Sequence, residues 1–479
     1  MLFPTAQFGI FFIIVFLVSW RLRPNRRAWM AFTLAASYVF YGWWDWRFVL
    51  LIAGSTLFNQ AMGSAIHRNH DDGTRKLLMG LAVGGNLVVL GFFKYYEFFV
   101  VSVTNGLAKL GLDANPPLLR LILPIGISFF TFQAISYVVD IYRRELEPAS
   151  PIEFGMYLSF FPHLVAGPIV RASEFVPQLR RRPDEHRIPA TEAFFLIVAG
   201  LFKKVVIASW LGTEMVDPVF AVPGNFSSLE ILFAVYGYAM QIYADFSGYT
   251  DIAIGIALLL GIRFPQNFDR PYSALSIQDF WRRWHITLSR WLRDYLYIPL
   301  GGSRGSESAT YRNLMLTMLL GGLWHGASWT FVVWGGLHGT YQCVGHWRNG
   351  RRAAQEEAGM LAPSVIPEAL RPVLAWLATF NLVCFAWIFF RAESFATAFD
   401  VIKGIFDVTD LLPGPTLLLV VVVVGMLAAQ FSPRWVGAWS KSGFSRLAPV
   451  LQGVVLALSF VLIDTLGPVG VAPFIYFQF

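Results

Sequence analysis

Between Leu314 and His346 the chain carries no Asp, Glu, Lys or Arg. A membrane-spanning helix needs about 20 predominantly apolar residues, and in lipid only helices or closed barrels satisfy their own backbone hydrogen bonds. A run of this length without charge commits the chain to a bilayer. Long apolar stretches recur from one end to the other, among them Phe8 to Trp20, Leu77 to Phe93, Leu229 to Ile262 and the wholly apolar Leu417 to Gly425. Charged residues make up only 14% of the 479, where soluble chains average about 25%. No polar block is long enough for a soluble domain, and no repeat has a fixed period. The fold expected is all-α: a single integral membrane domain over residues 1–479. It reads as a polytopic helix bundle of about eleven spans plus one or two re-entrant segments.

The formal net charge is +7. The excess bases sit in short loops and at helix ends, which is the pattern of positive-inside topology and not of a nucleic-acid partner. Arg21 to Arg27 follow the first apolar run, the reverse of a cleaved signal peptide. A retained first helix with its N-terminus outside and Arg21 to Arg27 in the cytoplasm is expected. Cys343 and Cys384 lie in apolar runs with neither disulfide nor metal spacing, so no metal site is expected.

Ionisable side chains deep in apolar runs are costly unless something pairs or uses them. His325, in Leu319-Leu-Gly-Gly-Leu-Trp-His-Gly-Ala-Ser-Trp-Thr330, is the clearest case. Gly322 and Gly326 form a small-xxx-small pair that admits a close neighbour, and Trp324 and Trp329 offer flat walls. Catalysis and cross-helix hydrogen bonding both fit this histidine. His163 stands in Phe161-Pro-His-Leu-Val-Ala-Gly-Pro168, whose prolines and glycine point to a broken or re-entrant segment, tolerated only against protein or a wet cavity. It either lines that cavity or caps the broken backbone, and the second reading is favoured.

Lys203 and Lys204 are read as snorkelling from the cytoplasmic end of a span over Phe194 to Leu211. Tyr238, Gln241, Asp245 and Tyr249 fall within about 80° of one another on a helix, a polar stripe that either joins helices or touches substrate. Phe280 to Leu296, taken as one helix, gathers Phe280, Trp281, Trp284, Leu288, Trp291, Leu292 and Tyr295 on an arc of about 120°. Arg282, Arg283, Arg290 and Arg293 oppose them, with His285 at the border. This reads as a basic amphipathic helix lying in the membrane interface. Its arginines suit bidentate contacts to phosphate, whether of lipid head groups or of a cofactor.

Six blocks occur in order: Pro124-Ile-Gly-Ile-Ser-Phe-Phe-Thr-Phe-Gln133, Phe161 to Pro168, Asp245-Phe-Ser-Gly-Tyr249, Phe280-Trp-Arg-Arg-Trp-His285, Trp291-Leu-Arg-Asp-Tyr-Leu-Tyr-Ile-Pro-Leu-Gly-Gly302 and Gly321-Gly-Leu-Trp-His-Gly326. Together they resemble the membrane-bound O-acyltransferase family. The likeness is greatest to its bacterial branch that acetylates exopolysaccharides such as alginate and cellulose. The D-alanine transfer proteins of teichoic acid modification are more distant. The matching blocks run from about Pro124 to Gly339. The resemblance implies helices around a central funnel, with His325 as the essential histidine near its floor and His285 as the second position. It implies acetyl-CoA from the cytoplasm as donor substrate, with no permanently bound cofactor. It also implies delivery of acetyl at the periplasmic face of a bacterial inner membrane, to a polysaccharide acceptor or a periplasmic acetyltransferase partner. The chain departs from the alginate branch at His325-Gly-Ala-Ser328, where that branch carries His-Gly-x-Asn.

The chemistry agrees with those roles. A thioester is already activated, so transfer to a hydroxyl mainly needs the hydroxyl proton removed, a task suited to neutral histidine. His325 is expected as that base or as a transient carrier of the acetyl group. His285 would orient the thioester or polarise its carbonyl. Arg282, Arg283, Arg290 and Arg293 would draw in the CoA phosphates, and Asp245, Tyr249, Gln241, Trp324 and His163 are further candidates for substrate contact. The competing class is a transporter or export channel, which broken helices and intramembrane polar stripes also suit, although no paired half-helices occupy corresponding positions in two halves. D-alanyl or other acyl transfer to an envelope polymer is a third reading. The acceptor itself is not legible.

Overall fold

A computed structural model describes the chain apart from residues 113–115, 117, 120, 166, 182–187, 361–365, 408–412, 469–474 and 476–479. The described residues form helices and no strand. In chain order they are α1 (Ala6–Leu22), α2 (Arg26–Gly42), α3 (Arg47–Arg68), α4 (Asp72–Lys109), α5 (Ile127–Tyr142), α6 (Pro151–Ser159), α7 (Phe161–Leu164), α8 (Ala172–Arg180) and α9 (Ala190–Ala221). Then follow α10 (Ser228–Leu259), α11 (Ile277–Arg283), α12 (Ile286–Leu292), α13 (Glu307–His325), α14 (Trp329–Glu357), α15 (Leu370–Arg391), α16 (Phe395–Ile405), α17 (Leu417–Ala429), α18 (Arg434–Ser445) and α19 (Pro449–Leu466).

Among the described residues, α3, α4, α9, α10, α15 and α19 are long and apolar enough to cross a membrane, and α1, α5 and α17 are shorter apolar helices. The expectation of about eleven spans exceeds this because helices such as α13 bury polar groups inside the protein. Its Thr310, Asn313, Thr317 and His325 are all buried. α4 continues without a break through the apolar residues up to Lys109, and α5 begins at Ile127.

The chain forms two compact units, Met1–Ile197 with Tyr249–Pro265, and Val198–Gly248 with Gln266–Phe479. In the first, side-chain caps set the helix starts. Thr5 accepts the Phe8 N–H at 3.2 Å, Asn25 the Ala28 N–H at 3.2 Å and Asp71 the Thr74 N–H at 2.7 Å, satisfying donors that a helix leaves open. Asn59 of α3 and Asn86 of α4 exchange buried amide hydrogen bonds of 2.7 and 3.1 Å, a polar clamp between apolar helices. The re-entrant reading of residues 154–170 has its counterpart in a break at Phe160, between α6 and α7. Gly126 packs against the segment with φ +77°, and a Cβ there would lie 2.2 Å from the Leu164 carbonyl oxygen, so only glycine fits. His163 is fully buried and its Nε2 donates to the Tyr157 carbonyl at 2.9 Å, spending one ring nitrogen on main chain.

Glu153 completes a capping box with Ser150 and pairs with Arg26 of α2 and Arg180 of α8, the latter through hydrogen bonds of 3.1 and 3.3 Å. Burial raises this carboxyl, but hydrogen bonds from Arg180 and Ser150 outweigh it and hold it down at about 2, against an ordinary 4.5. The unfolded chain binds more protons between those values, so stabilisation by the triad is complete above pH 4.5 and lost as pH falls through 2. Glu153→Gln should lower the melting temperature at neutral pH, because it leaves two guanidinium groups without their counter-charge. It should also flatten the loss of stability on acidification, measured by thermal melts between about pH 3 and pH 7.

In the second unit Tyr272 fastens α10 to α15. Its hydroxyl donates to the Ala239 carbonyl at 2.8 Å and accepts the Trp387 indole N–H at 3.2 Å, while its carbonyl accepts Trp376 at 2.8 Å. α13 and α14 form a tight antiparallel hairpin. A Cβ on Gly322 would lie 2.3 Å from the Phe331 carbonyl oxygen, and one on Gly335 2.3 Å from that of Met318. Ser328 starts α14 by accepting the Thr330 N–H at 3.3 Å. Asn caps helices as well as Ser does, so the departure at Ser328 preserves this role.

The lysines of α9 do not snorkel. Lys204 is 1% exposed and forms an ion pair with Asp245 of α10, and Lys203 donates to the Ser247 hydroxyl at 2.9 Å. The helix widens into a π turn over Phe202–Ala208, and a carboxylate within the same unit neutralises the ammonium that a head group would otherwise take.

Candidate active site

The stretch Phe280 to Leu296 is not one helix. α11 ends at Arg283, His285 adopts a left-handed backbone with φ +43°, and α12 starts at Ile286. Such a backbone is uncommon and costly for a residue with a Cβ. Asn267 holds it in place. The Asn267 carbonyl accepts the Ile286 N–H at 2.9 Å, and its side-chain oxygen accepts the Thr287 N–H at 3.2 Å and the Thr287 hydroxyl at 2.9 Å. That same oxygen lies 3.2 Å from His285 Nδ1. Both Asn267 and His285 are 0% exposed. The kink turns the aromatic arc inward, where Phe280, Trp281 and Trp284 meet Tyr272, His338 and Trp387. The interfacial amphipathic helix expected here is thus replaced by two short helices whose apolar side is protein core.

His285 is met edge-on by Phe246 at 4.6 Å and by Trp324 at 6.2 Å between ring centroids, and Trp324 meets His325 at 5.0 Å. The two histidines singled out in the sequence therefore share one indole wall. His325 is 3% exposed and is the last residue of α13, with Trp334 and Phe390 edge-on at 5.0 and 5.3 Å. It stands at the break between two helices and not in the middle of a span. Trp329, the second expected wall, is 54% exposed, because it opens α14 beyond the turn, and Trp334 takes its place. His285 Nε2 is buried with no hydrogen-bond partner among the described residues.

A third histidine joins this cluster without a motif of its own in the sequence. His338 is fully buried, accepts the Trp281 indole N–H at Nδ1 at 3.3 Å and lies 4.8 Å from Trp334. It belongs to the same uncharged run as His325, which is the only cue the sequence offers. Asn267 likewise lies in a loop that reads, from sequence, as mere connection.

The arginines do not gather on one face. Arg282 and Arg283 close α11, Arg290 lies in α12 and Arg293 opens a π turn over Arg293–Tyr297. Arg283 donates to Asp279 at 2.9 Å and to Ser273 at 3.3 Å, and Arg293 to Asp294 at 2.6 Å. Arg282 is exposed and Arg290 half-buried. α10 continues unbroken through Gly248, so Tyr238, Gln241, Asp245 and Tyr249 do share a face. Asp245 is engaged by Lys204 and by the Ile475 N–H at 3.0 Å. The Tyr238 hydroxyl and the Gln241 side-chain oxygen are buried with no hydrogen-bond partner among the described residues. The Tyr249 ring meets Phe3 at 5.6 Å. His163 belongs to the first unit, and His285 and His325 to the second.

Two buried imidazoles against a common indole can accept a proton or attack an activated acyl carbon. The model of the MBOAT, membrane-bound O-acyltransferase, family matches residues 89–352, a span that includes both histidines. The chain belongs to this family. It is 42% identical over 413 residues to a probable alginate O-acetylase of Pseudomonas aeruginosa, covering 85% of this chain and 75% of the relative. It is 40% identical over 396 residues to a peptidoglycan O-acetyltransferase of Helicobacter pylori, covering 77% and 72%. A teichoic acid D-alanyltransferase of Streptococcus thermophilus is 27% identical over 280 residues, covering 56% and 68%. As a membrane-bound O-acyltransferase, the protein is an enzyme and a multi-pass membrane protein.

Proposed function

We propose that this acyltransferase moves acetyl groups from cytoplasmic acetyl-CoA across the bacterial inner membrane for O-acetylation of an exopolysaccharide of the alginate or cellulose type. Delivery is direct or through a periplasmic acetyltransferase partner. The observation that carries this reading is the pair His285 and His325 on the wall of Trp324, in a chain 42% identical to a probable alginate O-acetylase. Residues 1–479 act as one acyltransferase domain with the N-terminus in the periplasm. Acetyl-CoA is a substrate and no cofactor stays bound. Transfer needs one group to take the acceptor's hydroxyl proton and another to hold or carry the acetyl, and the two histidines between them supply both. Arg282 and Arg290 meet the CoA phosphates where the cofactor enters.

A second reading keeps the chemistry and changes the acceptor, supported by the peptidoglycan O-acetyltransferase at 40% identity. The test is the ester-linked acetate on each envelope polymer in cells with and without the gene, after labelling the cytoplasmic acetyl-CoA pool. Loss of label from the exopolysaccharide alone supports the first reading, and loss from peptidoglycan alone the second. Polymer that reaches the outside less abundantly but equally acetylated would instead indicate an export channel.

A further inference from the structure

The loop that braces His285 also decides what that histidine can do. The Thr287 main-chain N–H can only donate, so the Asn267 side-chain atom it meets at 3.2 Å is the carboxamide oxygen. The Thr287 hydroxyl, 2.9 Å away, donates to the same oxygen. An oxygen in this position can only accept. His285 Nδ1, 3.2 Å from it, therefore carries the ring proton. In the neutral imidazole the other nitrogen, Nε2, is then a bare lone pair, and it is the ring atom left buried without a partner among the described residues. The left-handed backbone of His285, φ +43°, is the cost of presenting that atom, and the Asn267 contacts to Ile286 and Thr287 hold the turn that imposes it.

We infer that Asn267 is a positioning residue that locks His285 in the Nδ1–H tautomer and so makes Nε2 the proton acceptor of the reaction. This rests on the reading of His285 and His325 as an acyl-transfer centre and divides the labour between them. A neutral His285 held in this way has no N–H to offer a carbonyl oxygen, so the polarising role considered for it falls away. The acceptor's O–H bond breaks toward Nε2 as its oxygen bonds to the acetyl carbon. The bond from that carbon to its carrier then breaks, the carrier being the CoA sulfur, or a His325 nitrogen if the acetyl has first moved there. The carrier takes the proton back from Nε2, so His285 ends as it began. Among the described residues His285 meets Phe246, Phe268, Trp324 and Asn267, none of them titratable, and the titratable groups behind these are His325 against Trp324 and Tyr243 against Phe268.

The test is the pH dependence of kcat for labelled acetyl transfer by the full-length membrane-embedded protein. Asn267→Asp keeps an oxygen for Thr287 and for Nδ1–H but adds a charge that favours the imidazolium. Its acid limb should move up by about one pH unit or more, read on protein that a thermal melt shows to be folded, since a buried carboxylate lowers the melting temperature. Asn267→Leu removes the acceptor and should lower kcat by about 10²-fold with little change in KM for acetyl-CoA. A purely structural brace would leave the Asp variant's profile on top of the parent's, and that result overturns the inference. So does parental kcat in a folded Leu variant. If the Leu variant does not fold, the Asp profile decides alone. Failure of the underlying reading shows separately, as full turnover by His285→Ala.

Discussion

Replacing His325 with alanine should abolish acyl transfer and leave the protein folded. The ring contributes packing against Trp324, Trp334 and Phe390, and three large aromatics remain to hold the pocket when it goes. The chemical loss is far greater than the structural one. With the proton taken by His285, the role left to His325 is to carry the acetyl group, and removing a covalent carrier costs about 10²–10⁴ or more in rate. Melting temperature and detergent behaviour should stay close to the parent's while transfer of labelled acetyl falls to background. A folded variant with more than a tenth of parental turnover, a deficit of less than about 1.4 kcal/mol, would mean that His325 does not carry the acetyl group and that transfer runs directly from the CoA sulfur.

Replacing Lys204 with methionine should be the most damaging single change to stability. It leaves the Asp245 carboxyl buried without its counter-charge, keeping among the described residues the Ile475 N–H. Breaking a buried pair in this way costs about 3–5 kcal/mol, whereas replacing both partners with apolar residues is often near neutral. The double variant Lys204→Met with Asp245→Leu should therefore recover most of the lost melting temperature, and the recovery measures the coupling. Its activity then separates the two readings of the polar stripe. A stable double variant with parental turnover makes Tyr238, Gln241 and Asp245 a helix-joining network. A stable but inactive one puts the stripe in contact with substrate.

The parts of the fold that sequence reveals are those governed by local length and composition. The uncharged run at 314–346 and the prolines of Phe161 to Pro168 announce a membrane chain and a broken helix, because both signals sit in the residues concerned. The break at His285 carries no such mark. Neither Trp284 nor His285 is a helix breaker, and helical periodicity through Phe280 to Tyr295 is good, so the arc reads as one amphipathic face. Only the loop around Asn267, distant in sequence, makes the turn. The inward course of Lys204 is hidden for the same reason, since its partner lies on another helix. The two histidines of the site were legible as costly residues in apolar surroundings. Their shared wall was not, because Trp324 and Trp329 are indistinguishable until the turn at Gly326 to Ser328 places one inside and exposes the other.

The most direct test is consumption of labelled acetyl-CoA by the purified protein, supplied with exopolysaccharide and periplasmic extract, in parallel with His285→Ala. The parent should release CoA and pass acetyl to acceptor or partner, and the folded variant should do neither. Equal consumption by both, or none by the folded parent under those conditions, would contradict an acetyl-CoA-dependent transferase built on the histidine pair.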